Sequence, residues 1–178
     1  GSIFLLKGYA GTGKTSLISA LVNSLSSVNK KSSLLAPTGR AAKVLSKYSK
    51  KNASTIHRKI YWINSNKHGN TYIKLKENTH SNTIFIVDEA SMIGDDRQQA
   101  KLFENGSLLH DLVQYVSRGE QCKLIFVGDP AQLPPVHLNL SPALDQNELE
   151  HFHFDKVYGV ELNTVVRQAK NSGILSNA

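Results

Sequence analysis

Gly8-Tyr9-Ala10-Gly11-Thr12-Gly13-Lys14-Thr15 follows the apolar run Ile3-Phe4-Leu5-Leu6, with Lys7 between them. Beyond it, Leu17, Ile18, Leu21, Val22 and Leu25 recur at helical spacing. The sequence therefore predicts a short buried strand over 3–7, a glycine-rich turn, and a helix from Lys14 to about Leu25. Glycines let successive backbone N–H groups turn inward, where they suit phosphate oxygens. The helix that follows adds the positive end of its dipole. In this pattern Lys14 suits the β/γ-phosphates of a nucleotide and the Thr15 hydroxyl suits Mg²⁺. Gly8, Ala10, Gly11, Thr12, Gly13, Lys14, Thr15 and Ser16 are the candidate nucleotide contacts. A glycine turn that merely contains a lysine would not require a strand before it and a helix after it.

The same rhythm continues along the chain. Strands are expected at 32–36, 83–87, 123–127 and 157–162, and helices from Gly39 to about Tyr48 and from about Gln98 to Val116. Asn105-Gly106 is a candidate interruption of the last helix. Strands that are apolar throughout and alternate with helices imply a parallel α/β sheet covered on both faces. Ligands of such sheets bind at the carboxyl ends of the strands. The glycine loop, Ala36-Pro37-Thr38, Asp88-Glu89 and Gly128-Asp129 all directly follow a strand, which converges on one site. The stretch 60–82 breaks the pattern: two β-prone runs flank a polar turn, and an inserted β-hairpin is expected there.

Composition sets limits. The 178 residues suffice for one domain, and 21 Lys+Arg against 14 Asp+Glu give a net charge of +7. That balance suits a polyanionic partner, although a merely soluble basic surface accounts for it equally well. No apolar run approaches the roughly 18 residues of a membrane span. Cys122, the single cysteine, excludes an intrachain disulfide, fits a reducing cytoplasm, and is expected to be a small buried residue beside a strand. Gly1-Ser2 has the look of a tag remnant.

Asp88 and Glu89 end the run Thr-Ile-Phe-Ile-Val. A carboxylate at Asp88 can hold the water shell of Mg²⁺, because that ion dehydrates reluctantly. Glu89 is then placed to act as general base on an attacking water. Taken without the glycine loop, the pair could equally be a solvated turn. Together they indicate a P-loop nucleotide hydrolase that uses ATP or a similar nucleotide with Mg²⁺.

Longer motifs narrow the class. Asp88-Glu-Ala-Ser-Met92 and Gly128-Asp-Pro-Ala-Gln-Leu-Pro-Pro-Val136 closely resemble motifs II and III of superfamily 1B helicases, the RecD-like and Dda-like group that includes exodeoxyribonuclease V alpha-subunits. Ala36-Pro-Thr-Gly-Arg-Ala-Ala42 resembles that group's motif Ia, Thr55-Ile-His-Arg58 its Thr-x-His element, and Leu162-Asn-Thr-Val-Val-Arg-Gln168 its motif IV. The resemblance implies a RecA-like motor domain over 1–178 that binds ATP and Mg²⁺, the metal at Thr15 and Asp88, and couples hydrolysis to 5′→3′ movement on single-stranded DNA. It implies that Glu89 activates water, Gln132 senses the γ-phosphate, and Arg167 stabilises transition-state charge. Pro37, Thr38 and His57 resemble contacts to the DNA backbone. For His57 a purely structural role, and for Arg40 a local structural role against a phosphate contact, stay open.

The hairpin at 60–82 falls where such helicases insert a subdomain. There Tyr61, Trp62 and Tyr72 either stack on bases, with Lys59, Lys67, Lys74 and Lys76 near phosphates, or form the hairpin's own core; the core is favoured for Trp62. The resemblance also makes a second RecA-like domain a partner lying outside this sequence, and an upstream glutamine motif is expected to be missing. The chain is thus expected to be an excised fragment, weak or inactive in hydrolysis by itself. Accessory nuclease subunits are left open. The competing classes are another P-loop nucleotide hydrolase, which has no evident use for Gly128–Val136, and a noncatalytic nucleic-acid-binding module.

Overall fold

A computed structural model describes residues 1–65, 71–94, 103–133, 140–152 and 154–164. Strands β1 (Ser2–Gly8), β2 (Lys31–Ala36), β3 (Ala53–Thr55), β6 (Thr83–Val87), β7 (Lys123–Gly128) and β8 (Lys156–Leu162) form one six-stranded sheet ordered β3-β2-β6-β7-β1-β8. Every neighbouring pair in it is parallel. Strands β4 (Tyr61–Ser65) and β5 (Thr71–Leu75) pair antiparallel as a separate hairpin. The helices are α1 (Lys14–Ser27), α2 (Gly39–Ser49), α3 (Ile56–Ile60), α4 (Leu108–Ser117) and α5 (Gln146–Glu150).

The apolar runs are explained by burial on both faces. Successive strand side chains point to opposite faces. Leu35, Phe85, Val87, Leu124 and Phe126 join one core, while Leu34, Ile86 and Val127 join the other with Ile18, Val22 and Leu45 of α1 and α2. Phe85 and Phe126 are fully buried, so truncating either to alanine should cost about 3–5 kcal/mol. Cys122 is buried and directs its thiol at the His80 carbonyl, 3.4 Å away. Among the described residues no helix is long and apolar enough to cross a membrane.

Two expectations need correction: the start of the helix expected from Gln98, and the core placement of Trp62. The candidate interruption at Asn105-Gly106 is present, and α4 begins only at Leu108: Gly106 takes a positive φ of 86°, and the Ser107 hydroxyl caps the helix by accepting from His110 N–H at 3.2 Å. Residues 98–102 lie outside the described residues. The expected hairpin is present, with strands at 61–65 and 71–75 paired antiparallel. Trp62 is not hairpin core; it is 60% exposed. Tyr61, by contrast, is buried and its hydroxyl donates to Asp111 Oδ2 at 2.6 Å, which removes it as a base-stacking residue.

Asp111 is fully buried and also accepts from the N–H groups of Glu104 (3.1 Å) and Asn105 (2.8 Å) and from the Asn105 amide (2.6 Å). A buried charge needs such partners to offset its desolvation. This carboxylate ties the base of the hairpin and the turn before α4 to the main core.

Candidate active site

Parallel strands direct their carboxyl ends to one edge of the sheet. Along that edge the sheet order sets the turns after Thr55, Ala36, Val87, Gly128 and Gly8 in a row. The phosphate-loop residues occupy the β1 end. Gly11 and Gly13 adopt φ of 83° and 87°, the left-handed region that side chains disfavour, and Gly13 directly precedes α1. Gly8 has no room for a side chain: a Cβ would lie 2.6 Å from Thr12 Oγ1 and 3.1 Å from Leu162 Cβ. Thr12 closes the turn, its hydroxyl donating to the Tyr9 carbonyl at 2.8 Å and its N–H to the same oxygen at 3.2 Å.

Helix α1 begins without a side-chain cap and without an acidic residue in its first turn. Its first N–H groups, from Lys14 to Ser16, therefore lie outside the helix's own ladder, which starts with Leu17 N–H to Gly13 O at 2.9 Å. Uncapped donors, a positive dipole end and a loop wound through two left-handed glycines fit a nucleotide's phosphates. The Lys14 ammonium folds over this cradle, donating to the carbonyls of Gly8 and of Tyr9 (2.9 Å), and lies 4.0 Å from Asp129 Oδ2.

The carboxylates stand beside this loop. Asp88 N–H donates to the Leu35 carbonyl at 2.9 Å, extending the β2–β6 pairing past the strand end. Burial pushes the Asp88 carboxyl up to about 6, and the charge of Glu89 adds to the rise; the Glu89 N–H bond at 2.9 Å and the Lys14 charge oppose it. A buried carboxylate beside a second one is an environment that a cation relieves, so Asp88, with Thr15 on the first turn of α1, fits a Mg²⁺ held largely through water.

Glu89 takes φ of 54°, a left-handed conformation uncommon for a side-chain-bearing residue, at the start of the 3₁₀ turn Ala90–Met92. That kink directs its carboxylate toward Gln132, whose Nε2 donates to Glu89 Oε2 at 3.2 Å. Ser91 Oγ donates to Gln132 Oε1 at 2.7 Å. The orientation of the amide follows from chemistry, since a carboxylate only accepts and so must face the NH₂. Asp129 is 4% exposed and its Oδ1 accepts from Ala131 N–H at 2.9 Å, shaping the turn that presents Gln132.

Sequence reasoning assigns no role to Ser91, which stands inside a quoted motif, and reads Asp129 only as part of a polar turn that follows a strand. The signal was an acid ending an apolar strand at Asp129; nothing local marks Ser91.

The proposed strand-contacting residues fall at the other end of the same edge. The Thr38 hydroxyl caps α2, accepting from Ala41 N–H at 3.2 Å, and Pro37 precedes it; Arg40 is exposed on the first turn. His57, on α3, packs against Tyr61 and Phe103, with ring centroids 5.7 and 6.4 Å away. Arg167 and Pro134-Pro135-Val136 lie outside the described residues.

A family model described as an AAA domain matches residues 1–177. The chain belongs to this family. It is similar to the ATP-dependent RecD2 DNA helicase of Deinococcus radiodurans, 32% identical over 138 residues, covering 78% of this chain and 17% of that protein. It is also similar to the ATP-dependent DNA helicase dda of Enterobacteria phage T4, 34% identical over 166 residues, covering 91% of this chain and 34% of that protein. With the motifs above, these relatives make the chain a RecA-like domain of the superfamily 1B type. Its fold is that of a Bacteroides Pif1 solved with ADP-AlF4, at a TM-score of 0.53 and 21% identity, over 94% of this chain and 39% of that one. The chain thus spans 17% to 34% of the length of these two helicase relatives.

Proposed function

We propose that this chain is the nucleotide-binding motor domain of an ATP-dependent DNA helicase that moves 5′→3′ along single-stranded DNA. The observation that carries the reading is the order of turns along the carboxyl edge. Asp88, Glu89, Ser91 and Gln132 stand between the phosphate loop at β1 and the Pro37–Arg40 turn at β2, and hydrogen bonds link Glu89, Gln132 and Ser91. This bonded set is the proposed link between the two ends.

The chain's own residues supply the following steps. The N–H groups of Gly11 and of Gly13 to Ser16 donate to phosphate oxygens, and Lys14 exchanges the Gly8 and Tyr9 carbonyls for the β/γ-phosphates. Thr15 and Asp88 would hold Mg²⁺, which would supply positive charge against the transferred phosphoryl group. Glu89 accepts the proton of the attacking water, and Gln132 holds that carboxylate in place through Nε2. Loss of the Gln132–Glu89 bond then repositions the Gly128–Gln132 turn against the strand-binding side. Pro37, Thr38 and Arg40 contact the DNA backbone; His57, held in its aromatic cluster, supports that surface.

The relatives are several times longer, so Arg167 and a second RecA-like domain are proposed to complete the hydrolytic site. By itself the chain then binds MgATP and hydrolyses it slowly. A lone cysteine, which can form no intrachain disulfide, fits a cytoplasmic location. The test is ATPase activity of the protein carrying this chain with its remaining domains. Glu89→Gln should abolish stimulation by single-stranded DNA while MgATP still binds. Turnover that ignores DNA in the unmodified protein would instead favour a different nucleotide hydrolase.

A further inference from the structure

The β1–β7 register pairs Lys7 with Gly128, so Gly8 and Asp129 leave the sheet side by side. Strand β7 also adjoins β6, which sets Asp129 between the phosphate loop and the Asp88-Glu89 turn. Its side chain is only 5% exposed. None of the steps assigned to Lys14, Thr15, Asp88, Glu89 and Gln132 uses its charge.

The two carboxylate oxygens of Asp129 have different partners. Oδ1 accepts from Ala131 N–H at 2.9 Å, a bond that needs an oxygen but no charge. Oδ2 faces the Lys14 ammonium at 4.0 Å. Among the described residues this is the one ion pair between two side chains; the other joins the terminal amino group of Gly1 to exposed Asp155. The Lys14 side chain is itself only 16% exposed, and its remaining contacts are the neutral carbonyls of Gly8 and Tyr9. Apart, each charge would be largely desolvated with no counter-charge beside it, which is costly. Together they keep the ammonium folded over the loop.

A nucleotide upsets this balance. Its phosphates carry several charges and attract the ammonium more strongly than one carboxylate does. Capture of Lys14 nevertheless leaves Asp129 buried, short of its cation and close to a polyanion. The carboxylate therefore opposes binding twice, by retaining Lys14 and by repelling the phosphates.

We propose that Asp129 is the counter-ion that holds Lys14 in the empty site, and that phosphates bind by taking the ammonium from it. Asp129 is then a positioning residue that sets nucleotide affinity through Lys14. It has this part only if Gly8–Thr15 is the nucleotide site.

Asp129→Asn separates the two oxygens, because Oδ1 can still accept from Ala131 while the charge is gone. Asp129→Ser, whose hydroxyl can accept the same bond, is a second neutral variant. In the nucleotide-free chain Asp129→Asn and Lys14→Ala should each lower the midpoint of urea denaturation. The double variant should fall no further than the worse of the two, since neither charge is then left alone. In EDTA, where no metal screens the phosphates, both neutral variants should bind a fluorescent ATP analogue about tenfold more tightly than the original chain, the size of a one-unit electrostatic shift. An Asp129 that only shapes the turn would give no such gain. Additive losses in urea, or an affinity in EDTA that is unchanged or lower in the neutral variants, would overturn the proposal. Failure of the nucleotide reading looks different: the original chain would then bind no ATP analogue even with Mg²⁺ present.

Discussion

Gly8→Ala should cripple nucleotide binding although the added group is a single methyl. The Cβ would come within 2.6 Å of Thr12 Oγ1, far inside contact distance, and within 3.1 Å of Leu162 Cβ, its partner in the β1–β8 register. The clash is relieved only if Thr12 rotates, which breaks its 2.8 Å bond to the Tyr9 carbonyl and loosens the turn that aims the loop's N–H groups. Overpacking of this kind costs about 1–3 kcal/mol, equivalent to about 5- to 150-fold in affinity if the bound loop must recover its shape. Titration with a fluorescent ATP analogue and Mg²⁺ measures it. Thr12→Ala removes the obstructing oxygen, so the double variant should bind nearly as well as Thr12→Ala alone, with a coupling of at least about 1 kcal/mol between the positions. Additive losses, or Gly8→Ala binding within twofold of the original, would show that the contact between them does not shape the loop.

Two further outcomes follow from the hydrogen bonds. Tyr61→Phe removes one bond to the buried Asp111 carboxylate and should lower stability by about 1.5–3 kcal/mol in urea denaturation, with Trp62 emission as the probe. An unchanged midpoint would mean that the hairpin is not anchored there. Gln132→Ala removes both the Glu89 and Ser91 bonds. In the protein carrying the remaining domains it should leave MgATP affinity within a few-fold and sharply reduce stimulation of hydrolysis by single-stranded DNA. Full stimulation in a steady-state ATPase assay would remove Gln132 from the coupling path.

The sheet and the edge that carries the candidate site were legible because strands buried on both faces must be apolar throughout. Each such run therefore ended visibly at Gly8, Pro37, Asp88 or Asp129. What escaped had weaker local signals. Strand β3 has three residues and α3 five, too few for periodicity to register. Asp111 reads as an ordinary exposed acid in an amphipathic helix until Tyr61, 50 residues away, is packed against it. The Ser91–Gln132 bond joins residues 41 apart and depends on the adjacency of β6 and β7. Trp62 was misread because an aromatic in a hairpin ordinarily buries itself, whereas here Tyr61 takes the core position and alternation turns its neighbour outward.

Binding of MgATP to this chain and to its Lys14→Ala variant, measured by titration calorimetry, decides whether the loop from Gly8 to Thr15 holds a nucleotide. The original chain should bind one equivalent. The variant, lacking the ammonium that reaches the phosphates, should bind about 10- to 150-fold more weakly, as expected for loss of a hydrogen-bonded charge worth about 1.5–3 kcal/mol. Equal affinity in the two, or no binding to either, would refute the assignment of this loop as the nucleotide site.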